Sequence, residues 1–300
     1  MQPLYTGNDP CEMAQWSPHP ACAEFEPMST QAENRPTVSA VVTSCRRFDL
    51  LEKTLESFLE QNDYPLDELI VIEDSDDRGV YGIEPLLQGT RHRIIFNGKN
   101  IGQIASIDKA YADIASDYIF HMEDDWLFTR KGFIARAVEI LEQEPQAIMV
   151  TVRDDADMPR YVRSLKTRRT GTASYKLAFP ELHFRWYTFT FNPGLRRTED
   201  YRALRGGYAA IGDEMAISHH YKARKWDMAW MIGGGVKHAG DARSAYGNGA
   251  GYRRPASSGG LSRLLRRENF RKWRESLGRH FWHRLRLMGI DTEPLQRRKR

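Results

Sequence analysis

The rhythm of apolar and polar positions changes at Thr37. Residues 38–43, Val-Ser-Ala-Val-Val-Thr, form a short β-prone run with the composition of a strand buried on both faces. Leu51, Leu55, Phe58 and Leu59 then recur at helical spacing until Pro65 closes the unit. Residues 69–72, Leu-Ile-Val-Ile, repeat the buried-strand pattern and run straight into Glu73-Asp74-Ser75-Asp76-Asp77. A weaker strand over residues 93–96 leads through Asn97-Gly98-Lys99-Asn100-Ile101-Gly102 into a helix with Ile104, Ile107, Tyr111 and Ile114 on one side. Residues 118–122 make a fourth strand that ends abruptly in Glu123-Asp124-Asp125, followed by a helix marked by Phe133, Ala137, Ile140 and Leu141 and a strand over residues 147–152. Strand and helix alternate throughout, which predicts an α/β fold with a mostly parallel central sheet flanked by helices.

Beyond Val152 the pattern loosens. Residues 153–176 are charged and polar and predict a loop with at most a short helix, residues 184–191 an aromatic strand, and Asn192-Pro193-Gly194-Leu195 a turn. Gly212-Asp213-Glu214 opens a helix through Tyr221 toward Lys225, residues 228–232 make a strand, and Gly233-Gly234-Gly235-Val236-Lys237-His238 follows it. Residues 1–36 mix Pro, Ser, Glu and Gln without periodicity and predict a poorly ordered arm; residues 242–260, rich in Gly, Ser and Ala, predict a hinge. The division expected is therefore an arm over 1–36, a main domain over 37–241, and a hinge with a basic helical tail over 242–300.

Composition narrows the picture. With 41% hydrophobic residues the chain is an ordinary globular protein, and no apolar run approaches the roughly 20 residues that span a bilayer. The N-terminus lacks the cationic-then-apolar order of a secretory signal, so a cytoplasmic location, peripheral to a membrane through the tail, is expected. Cys11, Cys22 and Cys45 cannot all pair within one chain and lack metal-site spacing with a histidine, which points to thiols in a reducing compartment. The net charge is only +4, but Arg263, Arg266, Arg267, Arg271, Lys272, Arg274, Arg279, Arg284 and Arg286 interleave with Leu264, Phe270, Trp273, Phe281 and Leu285. That pattern suits an anionic membrane surface or, ranked below it, nucleic acid; a charged face folded back on the domain is the plainer outcome.

In open parallel sheets ligands bind beyond the carboxyl ends of the strands. Three such ends here carry residues 43–46, Glu73 with Asp74, and Glu123 to Asp125. Three adjacent carboxylates repel one another unless a cation neutralises them, and hard oxygen donors suit Mg²⁺ or Mn²⁺, which in turn suit a diphosphate. The competing reading is that Asp124 and Asp125 merely turn the chain and cap the next helix.

The order of these motifs resembles the GT-A-type nucleotide-sugar glycosyltransferases, nearest the inverting family-2 pattern. The resemblance runs from about Val38 to Gly240: an opening strand to Arg46, the acidic pair Glu73-Asp74, Asn100-Ile101-Gly102 opening a helix, and a strand ending in an acidic motif. That motif departs from Asp-x-Asp by carrying Glu123, and Glu-Asp-Asp is similar to that of N-acetylglucosaminyltransferase I. The resemblance implies a GT-A, Rossmann-like fold and transfer of a sugar from a nucleotide-diphosphate donor, a UDP-sugar first, to an acceptor hydroxyl on a glycan, a lipid-linked sugar or a protein. It implies Asp125 and His238 as ligands of Mn²⁺ or Mg²⁺, with the metal a Lewis acid on the departing oxygen. It implies donor contacts from Thr43, Ser44, Arg46, Glu73, Asp74, Asn100, Gly102, Asp108, Glu123 and Asp124. By position Glu214 matches the base, with Asp213 a live substitute because the usual acid order is reversed. Each assignment has a plainer counterpart: Asp108 and Lys109 as an exposed ion pair, Glu214 as a first-turn acid favoured by the helix dipole, His238 as a satisfied histidine. The Gln-x-x-Arg-Trp signature of processive synthases is missing, which favours single additions. Two rival readings stand beside this one: a non-catalytic protein of the same fold docking through its tail, and a nucleotidyltransferase, against which the lack of a Gly-rich phosphate loop counts.

Overall fold

The computed structural model describes residues 35–183 and 188–239. Residues 1–34 of the expected arm, the hinge, the basic tail and Trp186 lie outside the described residues.

The first strand, β1 (Val38–Ser44), is buried along its whole length, Ser39, Thr43 and Ser44 included, as a central strand between two helical layers must be. It turns through Arg46, in left-handed conformation at φ 60°, into α1 (Phe48–Gln61), whose Leu51, Leu55 and Phe58 face the core. Strand β2 (Glu68–Glu73) follows, then a 3₁₀ segment, Arg78–Leu87, that the sequence pattern did not announce, and β3 (His92–Phe96). Helix α2 (Gln103–Tyr111) leads to β4 (Tyr118–Glu123), the short β5 (Trp126–Phe128), α3 (Phe133–Gln143) and β6 (Ala147–Thr151). Because β5 separates them from α3, Asp124 and Asp125 do not cap that helix; Gly132 stands at its N-terminus.

Residues 153–176 hold more structure than their polarity suggested. A single-turn α4 (Arg160–Arg163) precedes a hairpin of β7 (Thr167–Thr170) and β8 (Ala173–Ala178). Ala173 and Tyr175 point inward while Arg168 and Arg169 stay exposed on the sheet's edge strand, so the charges read as loop are an edge kept from pairing further.

The expected turn at Asn192–Leu195 is corrected in the same way. Gly194 begins β9 (Gly194–Arg197), which inserts antiparallel between β4 and β6. A Cβ at Gly194 would come within 2.4 Å of the Val150 carbonyl oxygen, so this glycine serves close strand approach rather than chain reversal. The aromatic strand expected over 184–191 is not a strand in its described part, residues 188–191. Phe189 and Phe191 are buried, but the backbone there is satisfied by side chains: Thr188 N–H by Ser218 Oγ at 3.4 Å and Phe191 N–H by Glu214 Oε2 at 3.0 Å.

A short α5 (Thr198–Arg202), α6 (Glu214–Ala223), β10 (Asp227–Met231) and β11 (Val236–His238) complete the described chain. The sheet has nine strands in the order β3-β2-β1-β4-β9-β6-β10-β8-β7, with β1 to β4, β6 and β10 running one way. Helices and apolar clusters cover both faces, one cluster around Leu55, Phe58 and Phe120, the other around Ile107, Tyr111, Phe189 and Phe191. Among the described residues no helix is long and apolar enough to cross a membrane.

Candidate active site

The parallel register sets the site. Ser44 lies opposite Glu73, Thr43 opposite Glu123, and Glu73 opposite Phe96, so the carboxyl ends of β1, β2, β3 and β4 finish along one edge. Glu73, Asp74, Asp124 and Asp125 are all buried there, an arrangement that is costly unless each oxygen is matched.

Asp74 is matched locally. Its carboxylate accepts from the N–H groups of Ile101 (2.7 Å) and Gly102 (2.9 Å) and from Asn97 Nδ2 (3.1 Å), while Asn100 Nδ2 donates to its backbone oxygen at 3.2 Å. Gly102 takes φ 94°, which a side chain would strain, and the clamp fixes the start of α2. Asp74, Asn100 and Gly102 thus come together as one loop, with the Asp74 oxygens turned into the protein. Glu73 differs: Oε1 accepts from the Arg46 N–H at 3.0 Å, whereas Oε2 is buried without a partner, as is Ser44 Oγ next to it. Two orphaned polar atoms at neighbouring strand ends are what a bound polar ligand would satisfy.

The acidic motif is held from both sides. Gln103 Nε2 and the indole of Trp126 donate to the two oxygens of Glu123, at 2.9 and 3.2 Å. Burial and Asp125 push the Glu123 carboxyl above its ordinary value, and burial pushes Asp124 up to about 7 although Arg47 opposes it. Arg47, a residue the sequence reading passed over for its neighbour, is the resident counter-cation. Its guanidinium engages both oxygens of Asp124 and donates to Asp125 Oδ2 at 2.8 Å. Arg46 points its exposed side chain at Asp76 instead, because the left-handed turn sends successive residues in different directions.

His238 reaches the site through a two-stranded ladder. Strand β11 pairs antiparallel with β5, placing His238 opposite Trp126, and Ala239 N–H donates to the Asp125 backbone oxygen at 2.7 Å. His238 Nε2 consequently lies 3.4 Å from Asp125 Oδ2, with its ring edge-on to Trp126. One oxygen and one imidazole nitrogen, adjacent and half open, suit a cation that takes its remaining ligands from a diphosphate. Among the described residues no group of three His, Cys, Asp or Glu forms a closed cage.

Asp213 and Glu214 separate in role. Asp213 is the exposed N-cap of α6, its Oδ1 accepting from Ala216 N–H at 2.8 Å. Glu214 turns inward, its Oε2 held by Phe191 N–H, and burial followed by the charge of Glu123 raises its carboxyl above the usual range. Asp108 is occupied elsewhere. Its carboxylate accepts from the N–H groups of Tyr208 and Ala209, both at 2.8 Å, and from Tyr201 Oη at 3.1 Å, tying residues 207–209 to α2. Lys109, expected as its ion-pair partner, donates to Asn97 Oδ1.

The model of the family described as Glycosyl transferase family 2 matches residues 39–203. That span includes the acidic motif and stops before Glu214 and His238. Among solved structures, the mannosyltransferase PcManGT from Pyrobaculum calidifontis in complex with GDP-Man and Mn²⁺ is similar at TM-score 0.54 and 16% identity, over 71% of this chain and 59% of that one. TarS 1-349 from S. aureus is similar at TM-score 0.48 and 13% identity, over 65% of this chain and 57% of that one. The chain therefore spans less than two thirds of either structure's length. No curated protein matches it in sequence.

Proposed function

Because this chain belongs to glycosyl transferase family 2, and is a glycosyltransferase of GT-A fold, we propose that it moves a sugar from a nucleoside-diphosphate donor to an acceptor hydroxyl with inversion at the sugar's C1. The observation that carries this reading is the meeting of Asp125 and His238 at 3.4 Å on the edge where β1, β2 and β4 end.

The nucleoside end of the donor lies along residues 43–46 and Glu73, where Glu73 Oε2 and Ser44 Oγ offer unsatisfied hydrogen-bonding capacity. Asp125 and His238 would hold Mn²⁺ or Mg²⁺, and when bound the metal supplies charge stabilisation for the departing diphosphate. PcManGT, with GDP-Man and Mn²⁺, supports a divalent cation and makes GDP-sugars the second donor class to test after UDP-sugars. Glu123, fixed by Gln103 and Trp126, faces the donor ribose.

Glu214 takes the proton from the acceptor hydroxyl as the acceptor oxygen bonds to C1. The C1–O bond to the β-phosphate breaks in the same displacement, and its electron pair leaves with the nucleoside diphosphate. A carboxylate raised by burial is better matched to this task than one at its solution value of about 4.3. Asp213 is exposed and its carboxylate is committed to the α6 cap, so Glu214 is the assignment preferred. The acceptor is a hydroxyl of a glycan, a lipid-linked sugar or a protein, and docking of the tail on an anionic membrane belongs to the same proposal.

A donor screen tests it. UDP- and GDP-sugars are offered with Mn²⁺ or Mg²⁺, nucleoside diphosphate release is measured, and the product anomer is assigned by NMR. Asp125→Ala should lose metal-supported donor binding, and Glu214→Gln should keep donor binding while transfer falls at least about 100-fold. Transfer that survives in Glu214→Gln and vanishes in Asp213→Asn would move the base by one residue; a retained anomer would sink the displacement.

A further inference from the structure

Arg196 on β9 is 2% exposed, and no carboxylate among the described residues pairs with it. Its guanidinium stands 5.1 Å from the ring centre of Phe189 and 5.6 Å from that of Phe191. One nitrogen donates to the Thr190 carbonyl at 3.4 Å, while Nε and Nη1 are buried with no hydrogen-bond partner. On the neighbouring strand β4, against the same Phe191 ring, sits His121, whose two ring nitrogens are also unpartnered and which burial, followed by Arg196 itself, keeps neutral. A full positive charge buried without an ion pair costs several kcal/mol. The two ring faces and a side-chain hydrogen bond with Tyr208 offset part of that cost.

The segment Arg196 touches explains the charge. Thr190 and Phe191 run between Arg196 and Glu214: Arg196 holds the Thr190 carbonyl, and the next N–H, that of Phe191, holds Glu214 Oε2 at 3.0 Å. The charged groups acting on Glu214 are Glu123, from the end of β4, and Arg196, from β9. Around Arg196 stand the hydroxyl-bearing rings of Tyr111 on α2, Tyr208, and Tyr221 on α6, all neutral at physiological pH.

We propose that Arg196 is a positioning residue for Glu214: it fixes the two-residue bridge that aims the carboxylate, and its unpaired charge favours the ionised, proton-accepting form of that carboxylate. This rests on Glu214 being the base. Burial and Glu123 favour the protonated acid; the Phe191 N–H, the Thr190 hydroxyl and the buried cation Arg196 oppose them, and Arg196 both adds its charge and holds the segment that carries the other two. The rings of Phe189 and Phe191 exclude water, so its field is weakly screened.

The test follows the Glu214 carboxyl directly, by ¹³C NMR titration of the full-length protein labelled at glutamate carboxyls, with the resonance assigned from Glu214→Gln. Arg196→Met should raise the Glu214 midpoint by about one pH unit and move the acid limb of kcat/KM upward by the same amount, while donor KM stays within about twofold. Arg196→Lys, which keeps the charge, should leave the midpoint near that of the wild type. If Arg196→Met does not melt cooperatively, Arg196→Gln, which still donates to Thr190, carries the same expectation. An unmoved Glu214 midpoint in the neutral variant overturns the proposal. Glu214→Gln that still transfers sugar refutes the base assignment instead, and is read separately from the titration.

Discussion

Replacing Arg47 by methionine separates the two ways in which the acidic motif can be neutralised. Arg47 engages both oxygens of Asp124, which is buried, and one of Asp125, and its own side chain is only 19% exposed. Methionine fills similar volume without charge, leaving two neighbouring carboxylates facing each other. Removing one partner of a buried ion pair costs about 3–5 kcal/mol, and the open side toward His238 argues for the lower end, about 3 kcal/mol. For a folded unit of this size that is a fall in melting temperature of roughly 6–12 °C. The wild type and Arg47→Met are melted in chelator and again in Mn²⁺ without donor. In the wild type the cation must compete with the guanidinium for Asp125; in the variant it meets no competitor. Mn²⁺ should therefore raise the variant's melting temperature by more than it raises the wild type's, the added stability approaching about 2.7 kcal/mol at a hundredfold excess over its dissociation constant. A variant as stable as the wild type in chelator would refute the counter-cation role. Equal responses to Mn²⁺ would refute competition for Asp125.

Three further outcomes are expected. Asp108→Ala should destabilise the protein by about 2–3 kcal/mol in urea unfolding, since it strips two backbone N–H groups and a phenol of one acceptor, yet leave the donor dissociation constant unchanged; a large loss of donor binding with normal stability would restore the donor contact to Asp108. Gly234→Ala would set a Cβ 2.0 Å from the Val152 carbonyl oxygen, so it should cost about 1–3 kcal/mol and, by shifting β11 and His238, weaken Mn²⁺ binding measured calorimetrically; unchanged metal affinity would detach His238 from the site. Because Glu214 must be ionised to accept a proton and its carboxyl is raised, kcat/KM should fall with acidification at a pH above the ordinary glutamate value of about 4.3, and an acid limb at or below that value would count against it.

What the sequence made legible was whatever lies on one continuous stretch. Each of β1, β2 and β4 is an apolar run ending in its own polar residues, and parallel pairing then needs only register to align Ser44, Glu73 and Glu123. The alternation that predicted those strands also predicted where their ends would gather. Strand β9 escaped because its signal is short and its glycine reads as a turn; the need for a glycine at 194 comes from Val150, more than forty positions away. The β7–β8 hairpin escaped because edge strands are charged by necessity, and charge in sequence reads as loop.

Counter-ions were the least legible feature, and for a reason that separates Arg46 from Arg47. Both follow the same strand, and composition ranks them equally. What distinguishes them is the φ of 60° at Arg46, which turns its side chain outward toward Asp76 and leaves Arg47 at the start of α1, facing Asp124 and Asp125. A one-residue difference in where the turn falls would exchange the two roles. The same holds for Arg196 and Arg197: β-strand alternation places the first among Phe189, Phe191 and the tyrosines and sends the second to Asp200 and the carbonyl of Ala147. In both doublets the residue facing inward touches the buried carboxylates at the strand ends or the segment leading to Glu214, and its neighbour ties down a loop or a helix end. The inward position is therefore fixed by backbone direction, and the arrangement of the acids depends on the turn after β1 and the register of β9 as much as on the acids themselves.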